Sequence, residues 1–274
     1  MKPKKRVAIT DEIDAVSRLI KSLNLRTVCE EAICPNLCEC YSRKTATFII
    51  LGNICTRSCR FCAVKHDVPS SFFVDTGEHA RIAEAVNKLQ LKHVVITSVT
   101  RDDLKDGGAS QFVNTIKEIK KNSSSTVVEV LIPDFFGSID SLQSVVSAKP
   151  DIIAHNIETV PRLYSSIRSK AVYSRSLAIL TRIGELSGNT IPAKSGIMLG
   201  LGESLEEVQL TLADLRNAGC RYLTIGQYLQ PTGRQVPVEK YYSDEDFKFF
   251  HEYAVKMGFE KVKSGHFVRS SYMV

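Results

Sequence analysis

From residue 46 onward the chain alternates between two patterns of hydrophobic positions. Short unbroken apolar runs recur at Phe48–Leu51, Val94–Thr97, Val127–Ile132, Ile152–Ala154, Gly196–Leu199 and Tyr222–Ile225. Runs of this length predict strands buried on both faces, as in parallel sheets. Between them the apolar residues fall at helical spacing. Ile82, Val86 and Leu89 share one face, with Asp75 and Glu78 as capping candidates. Ser204 and Glu207 form a capping box around Leu205, Val208, Leu212 and Leu215, with Gly219 as the stop. Ser243 opens a further helix carrying Phe247, Phe250, Ala254 and Met257, ending at Gly258. Strand–helix units in series predict an α/β fold, a parallel sheet curling into a partial (β/α)6 barrel with too few strands for the eight-stranded closed form. The βα loops at the C-terminal ends of the strands are then the place for a site.

The cysteines sharpen that expectation. Seven of the chain's eight lie between Cys29 and Cys62. They form two spacings, Cys29-x4-Cys34-x5-Cys40 (with Cys38 inside it) and Cys55-x3-Cys59-x2-Cys62, on either side of the apolar run Thr45–Leu51. Two triplets separated by a strand point to two metal centres. A closed zinc site or a fully ligated iron–sulfur cluster takes four protein ligands. A triplet therefore leaves one metal position open to a small molecule. A pair of zinc knots using Cys59-x2-Cys62 as a half-site is the plainer alternative.

Composition narrows the classes. The 274 residues are 43% hydrophobic, enough for a sizeable core, and no run of about 18 apolar residues spans a membrane. The opening MKPKKRVAITDEID lacks a hydrophobic stretch and reads as neither a secretory signal nor a transit peptide. Clustered thiols without a signal argue for metal binding in a reducing compartment, hence a cytoplasmic location. The net charge of +6 is dispersed, and the Lys2–Arg6 run reads as a solvated terminus. Nucleic-acid binding is not expected because basic aromatic patches are missing. The charge better suits an acidic protein partner.

The remaining strand-end loops are Thr97–Leu104 followed by Lys105–Gly108, His155–Arg162 with Pro161 placed for a first helical turn, Gly196–Glu203, and Gly226–Thr232. Asn156 and Glu158 at a buried strand end need partners, and a polar ligand is one. The glycines of Gly196–Glu203 allow close approach of a ligand. Taken singly, each loop reads more readily as scaffold than as site.

Taken together they resemble a known family over Thr27–Tyr272. C-x3-C-x2-C directly after the first strand resembles the radical S-adenosylmethionine (SAM) superfamily. VCEEA-CPN, ATFIILG-ICTRSC-FC, TSVTRDDL-DGGA, HNIETV-RLY, KSGIMLGLGE, LTIGQYLQPT and VRSSY, in that order, resemble the lipoyl synthase family. The resemblance implies insertion of two sulfur atoms into an octanoyl chain linked to a carrier lysine. It implies two [4Fe–4S] clusters, one cleaving SAM to a 5′-deoxyadenosyl radical that removes hydrogen from carbons 6 and 8, the other giving up sulfur. It assigns Cys55, Cys59 and Cys62 to the SAM cluster, with Phe61 beside the adenine and Asn156, Glu158, Met198, Tyr228 and Gln230 lining the SAM pocket. It assigns Cys29, Cys34, Cys40 and Ser271, the second serine of RSSY, to the auxiliary cluster, with Ser271 also the working catalytic ligand.

The implied layout is an N-terminal extension (1–45) with the auxiliary cysteines, a partial barrel (46–258) and a C-terminal segment (259–274) with RSSY. Implied partners are an octanoylated lipoyl carrier domain, an electron donor and a cluster-rebuilding protein, the enzyme itself acting as a monomer. The chain departs from the family pattern at Cys38, read as a spectator, at Gln235, where a histidine is common, and in its short N-terminal arm. Three other readings share parts of the pattern. Biotin synthase lacks the upstream triplet. Another radical SAM enzyme with an auxiliary cluster would lack RSSY. A zinc-binding interaction module would bind zinc and leave SAM intact.

Overall fold

The computed structural model describes residues 3, 11–32, 34–43, 45–67 and 74–272. Apart from Pro3, the Lys2–Arg6 run lies outside the described residues. The described residues form two bodies, one made of 11–57 and 63–151, the other of 58–62 and 152–272.

In the first body, helix α1 (Asp11–Ser22) and the short helices α2 (Val28–Glu31) and α3 (Leu37–Ser42) precede strand β1 (Thr45–Ile50). A small parallel pair follows, β2 (Ile54–Cys55) with β3 (Lys65–His66). Helix α4 (Glu78–Lys88), β4 (His93–Ser98), α5 (Ala109–Asn122), β5 (Val127–Leu131) and α6 (Ile139–Ser147) complete it. Strands β1, β4 and β5 are parallel neighbours, with Phe48 opposite Ile96 and Ile96 opposite Val130. These three side chains are fully buried, as are Ile82 and Val86 of α4, and each contributes about 1.5–3 kcal/mol by leaving water.

In the second body, β6 (Ile152–Ala154), α7 (Tyr164–Ile167), α8 (Tyr173–Ser187), β7 (Ala193–Leu199), α9 (Leu205–Asn217), β8 (Tyr222–Gln227), α10 (Asp244–Lys256) and β9 (Lys261–Gly265) follow in order. Strands β6 to β9 are parallel neighbours in that order.

The expected α/β alternation with parallel strands is found, and all six expected runs are strands. A seventh strand, β9, extends the second body beyond them. The capping boxes are present at Ser204/Glu207 and, in the α10 helix, at Ser243/Asp246. Asp75 and Glu78 do not form the expected cap. Gly77 is the cap residue of α4, and Glu78 turns inward so that its carboxylate accepts the Leu51 amide at 2.9 Å. Burial, only partly offset by that bond, raises the affinity of Glu78 for a proton. Among the described residues no helix is long and apolar enough to cross a membrane.

Candidate functional site

The first thiol group is built on two helical turns. Thr27, fully buried, caps α2 by accepting the Glu30 amide at 3.3 Å, and its hydroxyl shares a 3.1 Å hydrogen bond with the Tyr41 hydroxyl of α3. The Cys34 amide donates to the Cys29 carbonyl at 3.1 Å, and the Cys40 amide to the Asn36 carbonyl at 2.9 Å. Cys29 is buried, while Cys34, Cys38 and Cys40 are half-buried. Burial first, then the neighbouring Cys40 and Cys34, push the Cys29 thiol up to about 12. Cys29, Cys34 and Cys40 thus lie on and between the consecutive helices α2 and α3. Among the described residues no three Cys, His, Asp or Glu side chains converge as a ready-made ion site. The donor set is nevertheless that of an iron–sulfur cluster, soft thiols around a buried one whose proton a cluster iron would displace.

The second group is split between the bodies. Cys55 ends β2, its sulfur accepting the Arg57 amide at 3.4 Å. Arg57 is 6% exposed and forks onto Asp102 at 2.8 and 2.9 Å, with Asp134 at 2.6 Å. The Phe136 ring lies 5.1 Å from the guanidinium. The Thr56 amide donates to the Thr100 carbonyl at 3.0 Å. This part of the loop is therefore bolted to the ends of β4 and β5. Cys59 and Cys62 belong to the second body and are bolted there as firmly. The Cys62 amide donates to the Cys59 carbonyl at 3.0 Å, the Arg60 amide to the Ile167 carbonyl at 2.9 Å, and the Val236 amide to the Arg60 carbonyl at 3.0 Å. Gln235, a departure in sequence, donates its amide to the Cys62 carbonyl at 3.2 Å and accepts from Thr232.

The six SAM-pocket candidates all lie in the second body. Asn156 donates to the Glu158 carboxylate at 3.0 Å. Glu158 holds a positive φ of 67°, exchanging backbone bonds with Gly196 and Met198 at 2.9 Å each. Such a backbone is rare for a non-glycine residue and marks a place where structure overrides local preference. Burial favours protonation of Glu158, opposed by Arg168, which also donates to the carbonyls of Asn156 and Ile157. Among the described residues none gives the buried Asn156 Oδ1 atom a hydrogen bond. Phe61 and Met198 are half-buried. Tyr228 and Gln230 spend their polar groups on their own loop, donating to the Val236 carbonyl at 2.8 Å and the Gln235 carbonyl at 2.7 Å. Gly196 does admit a close approach, but by Thr224, Asn156 and Ser270 of the same chain. Ser271 is half-buried in a turn closed by the Tyr272 amide on the Arg269 carbonyl at 2.8 Å.

Sequence reasoning missed Arg57, Arg168 and Lys194, and noted Gln235 as a departure without its bond to Cys62. Charge pairing was the available signal for Arg57, flanked in sequence by cysteine loops and answered by Asp102 and Asp134.

The radical SAM superfamily is matched over residues 49–215. The lipoyl synthase of Caldicellulosiruptor saccharolyticus is 52% identical over 268 residues, covering 98% of this chain and 93% of that one. That of Chlorobium phaeovibrioides is 50% identical, covering 98% and 94%. Among solved structures, the FeFe-hydrogenase maturase of Carboxydothermus hydrogenoformans superposes with a TM-score of 0.61 at 16% identity, covering 91% of this chain and 70% of that one. Methylornithine synthase superposes with a TM-score of 0.58 at 12% identity, covering 93% and 78%. These last two likenesses are of fold.

Proposed function

We propose, from the premise that the chain belongs to the lipoyl synthase family of the radical SAM superfamily, that its two thiol groups divide one reaction between them. The enzyme inserts sulfur at C6 and C8 of an octanoyl-lysine borne by a carrier protein. A [4Fe–4S] cluster and SAM come with the superfamily. Bound in place, clusters and SAM supply one-electron chemistry and two sulfur atoms, which is work no side chain can do.

The chain's own residues bind and orient. Cys55, Cys59 and Cys62 hold the SAM cluster and leave one iron open. Asn156 Oδ1 and Glu158 take polar groups of SAM, Phe61 packs on its adenine, Met198 lines the pocket, and Tyr228 and Gln230 shape the loop above it. Cys29, Cys34 and Cys40 hold a second cluster, with Ser271 as fourth ligand. Serine oxygen is a weaker partner for iron than thiolate, so a cluster held this way would have its weakest protein bond at Ser271. The observation that carries the two-cluster reading is that Cys29, Cys34 and Cys40 lie on and between two consecutive short helices, with the Cys34 amide bonded to the Cys29 carbonyl at 3.1 Å. A low-potential electron donor and a cluster-rebuilding protein complete the cycle, around a cytoplasmic monomer.

The test is anaerobic reconstitution followed by turnover with an octanoylated carrier domain, SAM and a reductant. About eight irons per chain and a lipoyl product are expected. A colourless protein holding about two zincs would overturn the reading. Ser271→Ala is expected to assemble its auxiliary cluster and make no lipoyl product. Ser271→Cys should bind the cluster firmly and release sulfur poorly, and Ser270→Ala should do less harm. Product from Ser271→Ala at the unmodified rate removes Ser271 from the ligand set.

A further inference from the structure

Lys194, Gly196 and Met198 of β7 alternate onto one face with Tyr222, Thr224 and Gly226 of β8, since Lys194 pairs with Tyr222, Gly196 with Thr224 and Met198 with Gly226. Neither glycine has a positive φ, so conformational freedom is not what calls for them. Space is. A Cβ on Gly226 would run into the Val268 carbonyl, and one on Gly196 would lie 3.3 Å from Ser270 Cβ. The segment 268–272 is thus seated on this glycine face. Arg269 donates to the Gln227 carbonyl at 3.3 Å and to the Val268 carbonyl at 2.8 Å. At the far end Lys194, fully buried, donates its ammonium to the Tyr272 carbonyl at 3.1 Å. An ammonium is costly to bury unless hydrogen-bonded, and here the bond goes to the residue directly after Ser271.

We propose that Lys194 is a positioning residue for Ser271. Its ammonium pins the Tyr272 carbonyl while Ser270 rests on Gly196, so the Ser271 hydroxyl is presented from a strap fixed on both sides. Without that pin the strap lifts, and a ligand on it loses its defined place. The inference rests on the reading of Ser271 as an iron ligand, and the experiment separates the two.

Hydrogen–deuterium exchange of the full chain reads the strap directly, because the Val268 amide bonds to the Gly265 carbonyl and the Tyr272 amide to the Arg269 carbonyl. Lys194→Met removes the donor and keeps an unbranched side chain. It is expected to speed exchange at Tyr272 about tenfold, equivalent to about 1.4 kcal/mol, with β7 and β8 protected as before. In reconstituted protein its auxiliary-cluster Mössbauer spectrum should move toward that of Ser271→Ala. Gly226→Ala leaves the lysine in place, tests the same seat should Lys194→Met not fold, and should speed exchange at Val268 with the same iron change. Unchanged strap exchange in folded Lys194→Met, or in Gly226→Ala if the first variant does not fold, overturns the proposal. A spectrum indifferent to Ser271→Ala, alongside faster exchange in Lys194→Met, overturns instead the ligand reading on which it rests.

Discussion

The two cysteine segments are close in sequence and differ in how they are anchored. Cys55 to Cys62 sit on a loop fastened from outside, at Thr56 and Arg57 by the segments after β4 and β5, and at Arg60 and Cys62 by α7 and the loop at Gln235 and Val236. Cys29 to Cys40 sit on and between two short helices joined to each other by Thr27 and Tyr41, to α1 by Ser17 and Glu30, and to β1 by the Ile49 amide on the Arg26 carbonyl at 3.0 Å and the Thr27–Phe48 bridge. A cluster that must bind and orient SAM at every turnover calls for the first kind of support. On the proposed division, the cluster that would be dismantled and refilled belongs to the second kind, short helices packed beside β1.

The contrast breaks most sharply at the cysteines. Alanine at Cys55, Cys59 or Cys62 should abolish reductive SAM cleavage. Alanine at Cys29, Cys34 or Cys40 should leave some abortive cleavage to 5′-deoxyadenosine, seen by chromatography, and no lipoyl product. Equal loss in both sets with the SAM cluster still assembled would erase the distinction.

Next in size are the anchors themselves, read by urea unfolding. Arg57→Ala leaves Asp134 buried and Asp102 nearly so without their cation, and should cost about 3–5 kcal/mol. Thr27→Val removes a helix cap and the bond to Tyr41 and should cost about 1–2 kcal/mol. Similar costs would mean the two segments are equally braced. Gln235→Ala should fold normally and raise the KM for SAM by at most about tenfold, the worth of one hydrogen bond. An unaltered KM would make that bond ornamental. The smallest expected effect is at Cys38, half-buried on α3, where Ala should leave iron content unchanged. A loss of about four irons would make it a ligand.

Much of the fold is legible in the sequence because strands buried on both faces must be apolar throughout. Strand β9 escapes that rule. In Lys261–Gly265 the one buried apolar side chain is Val262, and its neighbours are lysines. Strand β1, Thr45–Ile50, is buried at every position and follows the run Thr45–Leu51 read from the sequence to within one residue. The cysteine spacings are legible because ligands close in the chain need no fold to bring them together. The anchors are not, since Arg57 meets Asp102 and Asp134 across 45 and 77 positions, and Gln235 meets Cys62 across 173. Gly196 looks like an opening for a ligand. Only the folded chain reveals that its own C-terminal segment lies there, and over Gly226 as well.

That seat also imposes an order on synthesis. The glycine face is complete once β8 has been made, whereas Val268–Tyr272 emerges only after α10 and β9. Until that segment has been made the groove on β7 and β8 has nothing to fill it. Seating of 268–272 over Gly196 and Gly226 is therefore the last step in building this body, set by chain order alone.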